Sequence, residues 1–114
     1  MDDILRQTLL YDFYGELLTE HQKQIYEDYV LNDLSLGEIA QAAGISRQGV
    51  HDLVKRCDKV LNGYEQKLHL MEKFLKNKDA VQHINRLLKE YRRTGDECLI
   101  DRIESISNQI LEEM

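Results

Sequence analysis

Apolar residues recur every three or four positions along most of this chain, with polar residues between them. That spacing places the apolar side chains on one face of an α-helix and predicts amphipathic helices. Polar residues able to cap a helix divide the pattern into six predicted helices, the first ending at about Leu18. The six helices are expected to begin at Asp3, Thr19, Ser35, Ser46, Asp79 and Asp96. The chain is therefore predicted to be all-α.

Two of these predicted starts have the pattern of a capping box. Thr19 is followed three residues later by Gln22, and Ser35 is followed by Glu38. In this arrangement the hydroxyl accepts a hydrogen bond from a first-turn amide, and the longer side chain accepts one from the amide of the capping residue. Gly44 follows the third apolar stripe, where a left-handed residue is expected to end the helix.

A seven-residue apolar repeat extends beyond the helix that begins at Ser46. Its two positions are occupied by Val54, Leu61, Leu68 and Leu75 and by Val50, Cys57, Tyr64 and Met71. The pair Asn62-Gly63 favours a turn, but the register of the repeat is unbroken across it. We therefore expect one helix, straight or kinked, to continue through this pair. The stripe needs a cover, either within the chain or from a second copy, and a homodimer is expected.

Composition and charge limit the fold class and the kind of ligand that the chain can bind. Among the 114 residues there is no proline, and six are glycine, as is typical of helical proteins. The net charge of −6 is unevenly spread: about −6 for residues 1–34, +3 for residues 35–78 and −3 for residues 79–114. Only the middle segment is suited to contact a polyanion.

The remaining composition predicts a cytoplasmic protein. No apolar run approaches the roughly 18 residues that cross a bilayer, and the acidic start Met1-Asp2-Asp3 is unlike a leader sequence. The two cysteines, Cys57 and Cys98, do not form a disulfide framework.

No pattern of catalytic residues is present, so the chain is not expected to be an enzyme or to hold a cofactor. The four histidines lack the spacing of three or four residues that brings metal ligands together on a helix, so no metal site is expected. They are His21, His51, His69 and His83.

Residues 35–54 carry the pattern of a helix-turn-helix. Ala40 is small where the second helix is expected to cross the first, and Gly44 permits the tight turn. The apolar residues expected to fill the space between the two helices are Ile45, Val50 and Leu53. In such a unit the second helix can lie in the major groove of DNA while the first supports it.

The exposed side of that second helix supplies the candidate nucleic-acid contacts. Arg47 can bridge two acceptors of guanine, and Gln48 can pair with adenine. The cations further along suit phosphate groups, and the two capping serines lie at helix N-termini, whose free amides also attract phosphate. The candidate residues are Ser35, Ser46, Arg47, Gln48, His51, Asp52, Lys55, Arg56 and Lys59.

These motifs resemble region 4 of bacterial sigma factors over about residues 17–61. The segments that carry the resemblance are residues 18–22, 35–40 and 44–50. With Asp12-Phe13-Tyr14 and residues 64–68 added, the whole chain resembles the YlxM family of small bacterial helix-turn-helix proteins. We expect a helix-turn-helix domain at residues 1–61 and a helical extension, a candidate dimerisation segment, at residues 62–114.

Members of the YlxM family are typically encoded beside the protein subunit of the signal recognition particle. The resemblance therefore implies an accessory or regulatory role in protein targeting. The implied partners are duplex DNA or the RNA of the particle, and the GTPase of the particle. This chain has Gly49 where the family usually has alanine, and His51 where it usually has an aromatic residue. The base preferences of relatives therefore do not carry over.

Two alternative functions remain open. The protein could regulate transcription by binding duplex promoter DNA. It could instead be a protein-docking module that binds the GTPase of the particle without contacting nucleic acid. The net charge of −6 favours docking, whereas the basic middle segment favours nucleic acid.

Overall fold

The computed structural model describes residues 3–114, with side chains from Ile4 onward, so the acidic start at Met1 and Asp2 lies outside the described residues. The described part is all-α, as predicted, and contains no strand. Its six helices are α1 (Asp3–Tyr14), α2 (Glu20–Val30), α3 (Leu36–Ala43), α4 (Arg47–Leu68), α5 (Leu70–Thr94) and α6 (Glu97–Glu113). None of the helices in this part of the chain is both long enough and apolar enough to span a membrane.

Both predicted capping boxes are confirmed. The Thr19 hydroxyl accepts from the Gln22 amide at 3.2 Å, and the Gln22 side chain accepts from the Thr19 amide at 3.0 Å. Ser35 and Glu38 make the same reciprocal pair, with both distances 3.1 Å. The hydrogen bonds donated by the Ser35 backbone and side chain lower the pKa of Glu38. Gly44 has φ 71° and ends α3 as predicted.

The first helix is shorter than predicted. It ends at Tyr14 rather than at about Leu18, and Gly15–Leu17 form one turn of 3-10 helix. A Cβ atom at Gly15 would lie 2.7 Å from the Tyr11 ring. The chain therefore changes direction at a residue without a side chain, because the ring occupies the space that a side chain would need.

Helix α4 continues through Asn62-Gly63, as the unbroken repeat predicted. The Asn62 side chain donates to the carbonyl of Asp58 at 2.8 Å and accepts from Arg6 Nη2 at 2.7 Å. Its amide group is therefore engaged inside the helix and across to α1, so it does not promote a turn.

The predicted start of a helix at Asp79 is wrong. Helix α4 ends at Leu68, His69 takes a left-handed conformation with φ 57°, and α5 begins at Leu70, so Asp79 lies inside α5. The predicted start of the last helix at Asp96 is confirmed. Helix α5 ends at Thr94, and the Asp96 carboxylate accepts from the Cys98 amide at 3.0 Å at the start of α6.

Contacts with residues distant in sequence explain the break at His69. The Tyr14 hydroxyl donates to Glu65 Oε1 at 2.6 Å and accepts from the Leu70 amide at 3.1 Å. The same Glu65 oxygen accepts from the Met71 amide at 2.9 Å. First-turn amides have no partner within their own helix. Tyr14 and Glu65 therefore supply the acceptors that the start of α5 requires.

The chain divides into two compact units, Met1–Met71 and Glu72–Met114. In the first unit, buried side chains of α1, α2 and α3 pack on one face of α4. They include Leu10, Tyr14, Ile25, Tyr26 and Ile39 on the three shorter helices, and Val50, Cys57 and Leu61 on α4. At the edge of this core the Asp58 carboxylate accepts from the Tyr26 hydroxyl at 2.5 Å and from Gln7 Nε2 at 3.0 Å. These hydrogen bonds hold α4 in one rotation about its own axis relative to α1 and α2.

The second unit contains α6 and nearly all of α5, packed as an antiparallel hairpin. Lys76 near the start of α5 pairs with Glu113 at the end of α6 at 3.1 Å, and Leu87 and Leu99 are buried nearer the turn. Gly95 in the turn has φ 69°, a conformation that favours glycine.

Burial of the Cys57 thiol predicts a loss of stability at alkaline pH. Burial raises its pKa from 9.0 to about 11, so the unfolded chain loses the proton first. The free energy of unfolding should be insensitive to this group below pH 9 and should fall between pH 9 and 11. Urea unfolding across this range measures the effect.

In Cys57→Ala the fall should begin only near pH 10, where Tyr26, whose pKa is also raised by burial, starts to contribute. The exposed Cys98 offers the matched control, Cys98→Ala, which should behave as the wild type. An unchanged onset in Cys57→Ala would contradict the assignment.

Candidate nucleic-acid interface

Helices α3 and α4 form the predicted helix-turn-helix. Ala40 of α3 and Val50 and Leu53 of α4 are buried between the helices, as their spacing predicted. The prediction that Ile45 fills the same space is wrong, because 37% of its surface is exposed. Its side chain lies within 4 Å of the place where a Cβ atom of Gly49 would be. A glycine at that position offers no side chain to cover Ile45.

All nine candidate residues are exposed. Ser35 and Ser46 lie at the N-terminal ends of α3 and α4, and the other seven lie on α4. With 100° between successive residues, those seven span half of the helix circumference, and the buried apolar residues occupy the other half. We call the seven the recognition face: Arg47, Gln48, His51, Asp52, Lys55, Arg56 and Lys59.

The recognition face is predominantly positive. It contains four arginine or lysine side chains and a single carboxylate, that of Asp52. Within residues 3–114, none of the four cations forms an ion pair: Arg47, Lys55, Arg56 and Lys59. Their positive charges are available to an anionic ligand, which suits the phosphate groups of a nucleic acid.

Asp52 lies beside two of the candidate base-reading groups and accepts a hydrogen bond from one of them, Gln48. Its Oδ1 atom accepts from Gln48 Nε2 at 2.9 Å and lies 3.7 Å from His51 Nδ1. This hydrogen bond uses the amide nitrogen of Gln48, so the carbonyl oxygen of the same side chain is not engaged by Asp52. Sequence reasoning treated Gln48 and Asp52 separately, although their spacing of four residues is the signal that could have revealed the pair.

Gly37 lies against a candidate site residue, Arg47, and sequence reasoning did not single it out. A Cβ atom at Gly37 would lie 3.7 Å from Arg47 Nε and 3.9 Å from the Ser35 hydroxyl. The Arg47 side chain therefore extends along α3 towards its N-terminal end. This contact brings Ser35 and Arg47 together at one end of the recognition face, about 18 Å along α4 from Lys59.

The two capping serines differ as anion sites. The Ser35 amide already donates to Glu38, and this carboxylate opposes a second anion at the start of α3. The Ser46 hydroxyl accepts from the Gly49 amide at 2.9 Å, and no acidic residue lies in the first turn of α4. The N-terminal end of α4 is therefore the better of the two places for a phosphate group.

Comparison with known proteins gives the family. The family model UPF0122, described as "Putative helix-turn-helix protein, YlxM / p13 like", matches residues 1–102. A UPF0122 protein of Thermoanaerobacter sp. is 44% identical over 112 residues, which are 97% of this chain and 96% of the relative. A UPF0122 protein of Caldanaerobacter subterraneus is 52% identical over 83 residues, or 73% and 71%. One of Shouchella clausii is 42% identical over 108 residues, or 93% and 98%. The resemblance predicted from the motifs is confirmed, and the chain belongs to the UPF0122 family of YlxM/p13-like helix-turn-helix proteins.

Proposed function

We propose that this protein is a nucleic-acid-binding regulator that acts in the cytoplasm as an accessory factor of the signal recognition particle pathway. It is a binding protein rather than an enzyme, and two copies associate. The observation that carries the proposal is the recognition face, where four cations that form no ion pair within residues 3–114 share the exposed side of the second helix of a helix-turn-helix. The link to protein targeting is supported by the resemblance to the YlxM family.

The recognition face divides into two parts along α4. Arg47, Gln48 and His51 lie in its first two turns and contact base edges. Lys55, Arg56 and Lys59 lie further along and contact phosphate groups, which give affinity without sequence preference. Asp52 positions Gln48 through their hydrogen bond. The ligand is duplex DNA or the RNA of the particle.

Fluorescence anisotropy of the full chain with two labelled ligands tests this function. The ligands are signal recognition particle RNA and a mixed-sequence DNA duplex, each titrated at about 50 mM and about 200 mM salt. Preference for the RNA that persists at the higher salt supports the targeting role. Salt-sensitive binding of the duplex without that preference supports a transcription regulator. Absence of binding to both overturns the proposal and favours docking on the GTPase of the particle.

Replacing Arg47 should reduce specificity more than affinity. Arg47→Ala removes the side chain that can bridge two acceptors of a guanine, so discrimination at one base position should weaken by about 1–3 kcal/mol. Competition between the preferred ligand and single-base variants measures the change. Lys67→Ala removes an exposed cation of the same helix outside the recognition face and should leave discrimination intact. Equal discrimination by wild type and Arg47→Ala would contradict the role of Arg47.

A further inference from the structure

The hairpin of α5 and α6 carries large apolar side chains that its own packing leaves uncovered. The exposed fractions are 48% for Val81 and 38% for Leu88 on α5, and 37% for Ile100 and 66% for Leu111 on α6. We call these four residues the outer apolar face. Monomeric proteins rarely expose large contiguous apolar patches, and such patches mark sites of association.

The geometry of the hairpin places all four residues on one side. Val81 and Leu88 are rotated by about 100–120° from the buried Leu87 around the axis of α5, and Ile100 and Leu111 are rotated equally from Leu99 around α6. Because the two helices are antiparallel, equal rotations in the same sense turn both pairs towards the same side of the hairpin. The outer apolar face therefore lies on one side of the hairpin and spans both helices, with Ser107 between its two members on α6.

Charged residues border this face with opposite sign on the two helices. Beyond the apolar positions of α5 lie exposed basic residues, and beyond those of α6 lie exposed acidic ones. The basic border consists of Lys78, Lys89 and Arg92, and the acidic border consists of Asp101, Glu104 and Glu112. Within residues 3–114 none of the six forms an ion pair. Across their whole lengths, α5 has a net charge of +4 and α6 of −4.

We propose that a second copy of this chain covers the outer apolar face, so that α5 of each subunit packs against α6 of the other in an antiparallel four-helix bundle. A two-fold axis parallel to the helices produces this arrangement and sets the basic border of one subunit against the acidic border of its partner. The other two-fold arrangement, with the axis perpendicular to the helices, would set like charges together. The charges therefore select the first arrangement.

The dimensions of the face fit a dimer. Helix α6 has 17 residues and is about 25 Å long, and two neighbouring helices give a face about 20 Å wide. Such a face measures about 500 Å² in projection, and the relief of its side chains brings its accessible surface closer to the roughly 800 Å² that each partner buries in a standard protein interface.

The arrangement also predicts which charges meet. Lys76 of α5 contacts Glu113 of α6 within the hairpin. A residue of α5 and a residue of α6 whose numbers add to about 190 therefore lie at the same level along the helix axes. A two-fold axis parallel to the helices preserves these levels. Lys78 therefore meets the partner subunit's Glu112, and Lys89 meets the partner subunit's Asp101.

Sedimentation of the full chain without nucleic acid tests the interface, which rests on the proposed association of two copies. Because no ligand is present, failure here leaves nucleic-acid binding to be judged on its own. We expect the wild type to sediment as a dimer, twice 13.4 kDa, at concentrations of about 1–100 μM. Val81→Glu should raise the dissociation constant by at least about 100-fold, because two carboxylates would enter the apolar interface.

Gln109→Glu is the matched control. It places the same carboxylate on the opposite side of the hairpin, about 160–180° around α6 from Leu111 and Ile100, and should leave the dimer intact. A monomeric wild type at about 100 μM overturns the proposal. Equal dimerisation of Val81→Glu and the wild type also overturns it, because the dimer would then use another surface.

Charge reversal tests the arrangement of the helices. Lys89→Glu alone and Asp101→Lys alone should each weaken the dimer by about 3- to 10-fold, and the double variant should recover most of the loss. If Lys89→Glu instead strengthens the dimer, α5 faces α5 of the partner and the proposed arrangement is wrong. If the double variant loses as much as the two single variants together, Lys89 and the partner subunit's Asp101 do not meet, and the arrangement is also wrong.

Discussion

Replacing Lys55 and Arg56 together by alanine is expected to weaken nucleic-acid binding by about 60-fold at about 0.1 M salt. Each phosphate contact releases about 0.9 counterion from duplex DNA, which contributes about 1.2 kcal/mol at this salt concentration. Both side chains are exposed, lie on the recognition face and have no partner of opposite charge in the described part of the chain. Their loss should therefore affect binding rather than folding.

The salt dependence identifies the cause of this loss. The slope of log K against log salt should decrease by about 1.8 for duplex DNA, or by about 1.4 for single-stranded RNA. All sequences should be weakened alike, unlike the effect of Arg47→Ala. Anisotropy titrations at four salt concentrations measure both quantities, and Lys67→Ala serves as the control on the same helix. An unchanged affinity and slope would show that the recognition face does not bind nucleic acid.

Tyr14→Phe should lower the free energy of unfolding by about 2–4 kcal/mol. The substitution removes the hydrogen bond to the buried carboxyl group of Glu65 and leaves the Leu70 amide without its acceptor. Hydrogen bonds to charged groups contribute about 1.5–3 kcal/mol, and the loss of the acceptor for the part-buried Leu70 amide adds to the cost. Because the ring itself remains, packing should change little.

Urea unfolding measures this difference. Tyr29→Phe is the matched control, since Tyr29 is only half-buried and its hydroxyl makes no hydrogen bond among residues 3–114, so its loss should cost less than about 0.5 kcal/mol. A cost below about 1 kcal/mol for Tyr14→Phe would contradict the role of this hydroxyl at the start of α5.

The candidate site was largely predictable because its determinants are local. The positions of Ala40, Gly44, Val50 and Leu53 follow from the spacing of two short helices around a turn, and the exposed side of α4 follows from that register. The contact of Arg47 with the region of Gly37 was not predictable, because it depends on how two helices cross. The hydrogen bond between Gln48 and Asp52 was within reach of sequence reasoning, since both residues lie on one helix.

The sequence alone determined where most helices begin. Thr19, Ser35, Ser46 and Asp96 cap helices with side chains that reach amides two or three residues away, so three or four adjacent residues are sufficient to specify each start. The continuous apolar repeat likewise predicted that α4 continues through Asn62-Gly63, because the repeat favours a helix more strongly than this one pair of residues favours a turn.

Only the tertiary structure decided the break at His69. The residues that satisfy the first amides of α5 are Glu65, four positions before the break, and Tyr14, 56 positions before Leu70. A periodic pattern reports which side of a helix is buried, but it does not report an acceptor that arrives from a distant helix. Backbone amides at a helix start need acceptors. The position of this break was therefore fixed by where the fold brings the Tyr14 hydroxyl and the Glu65 carboxyl group together.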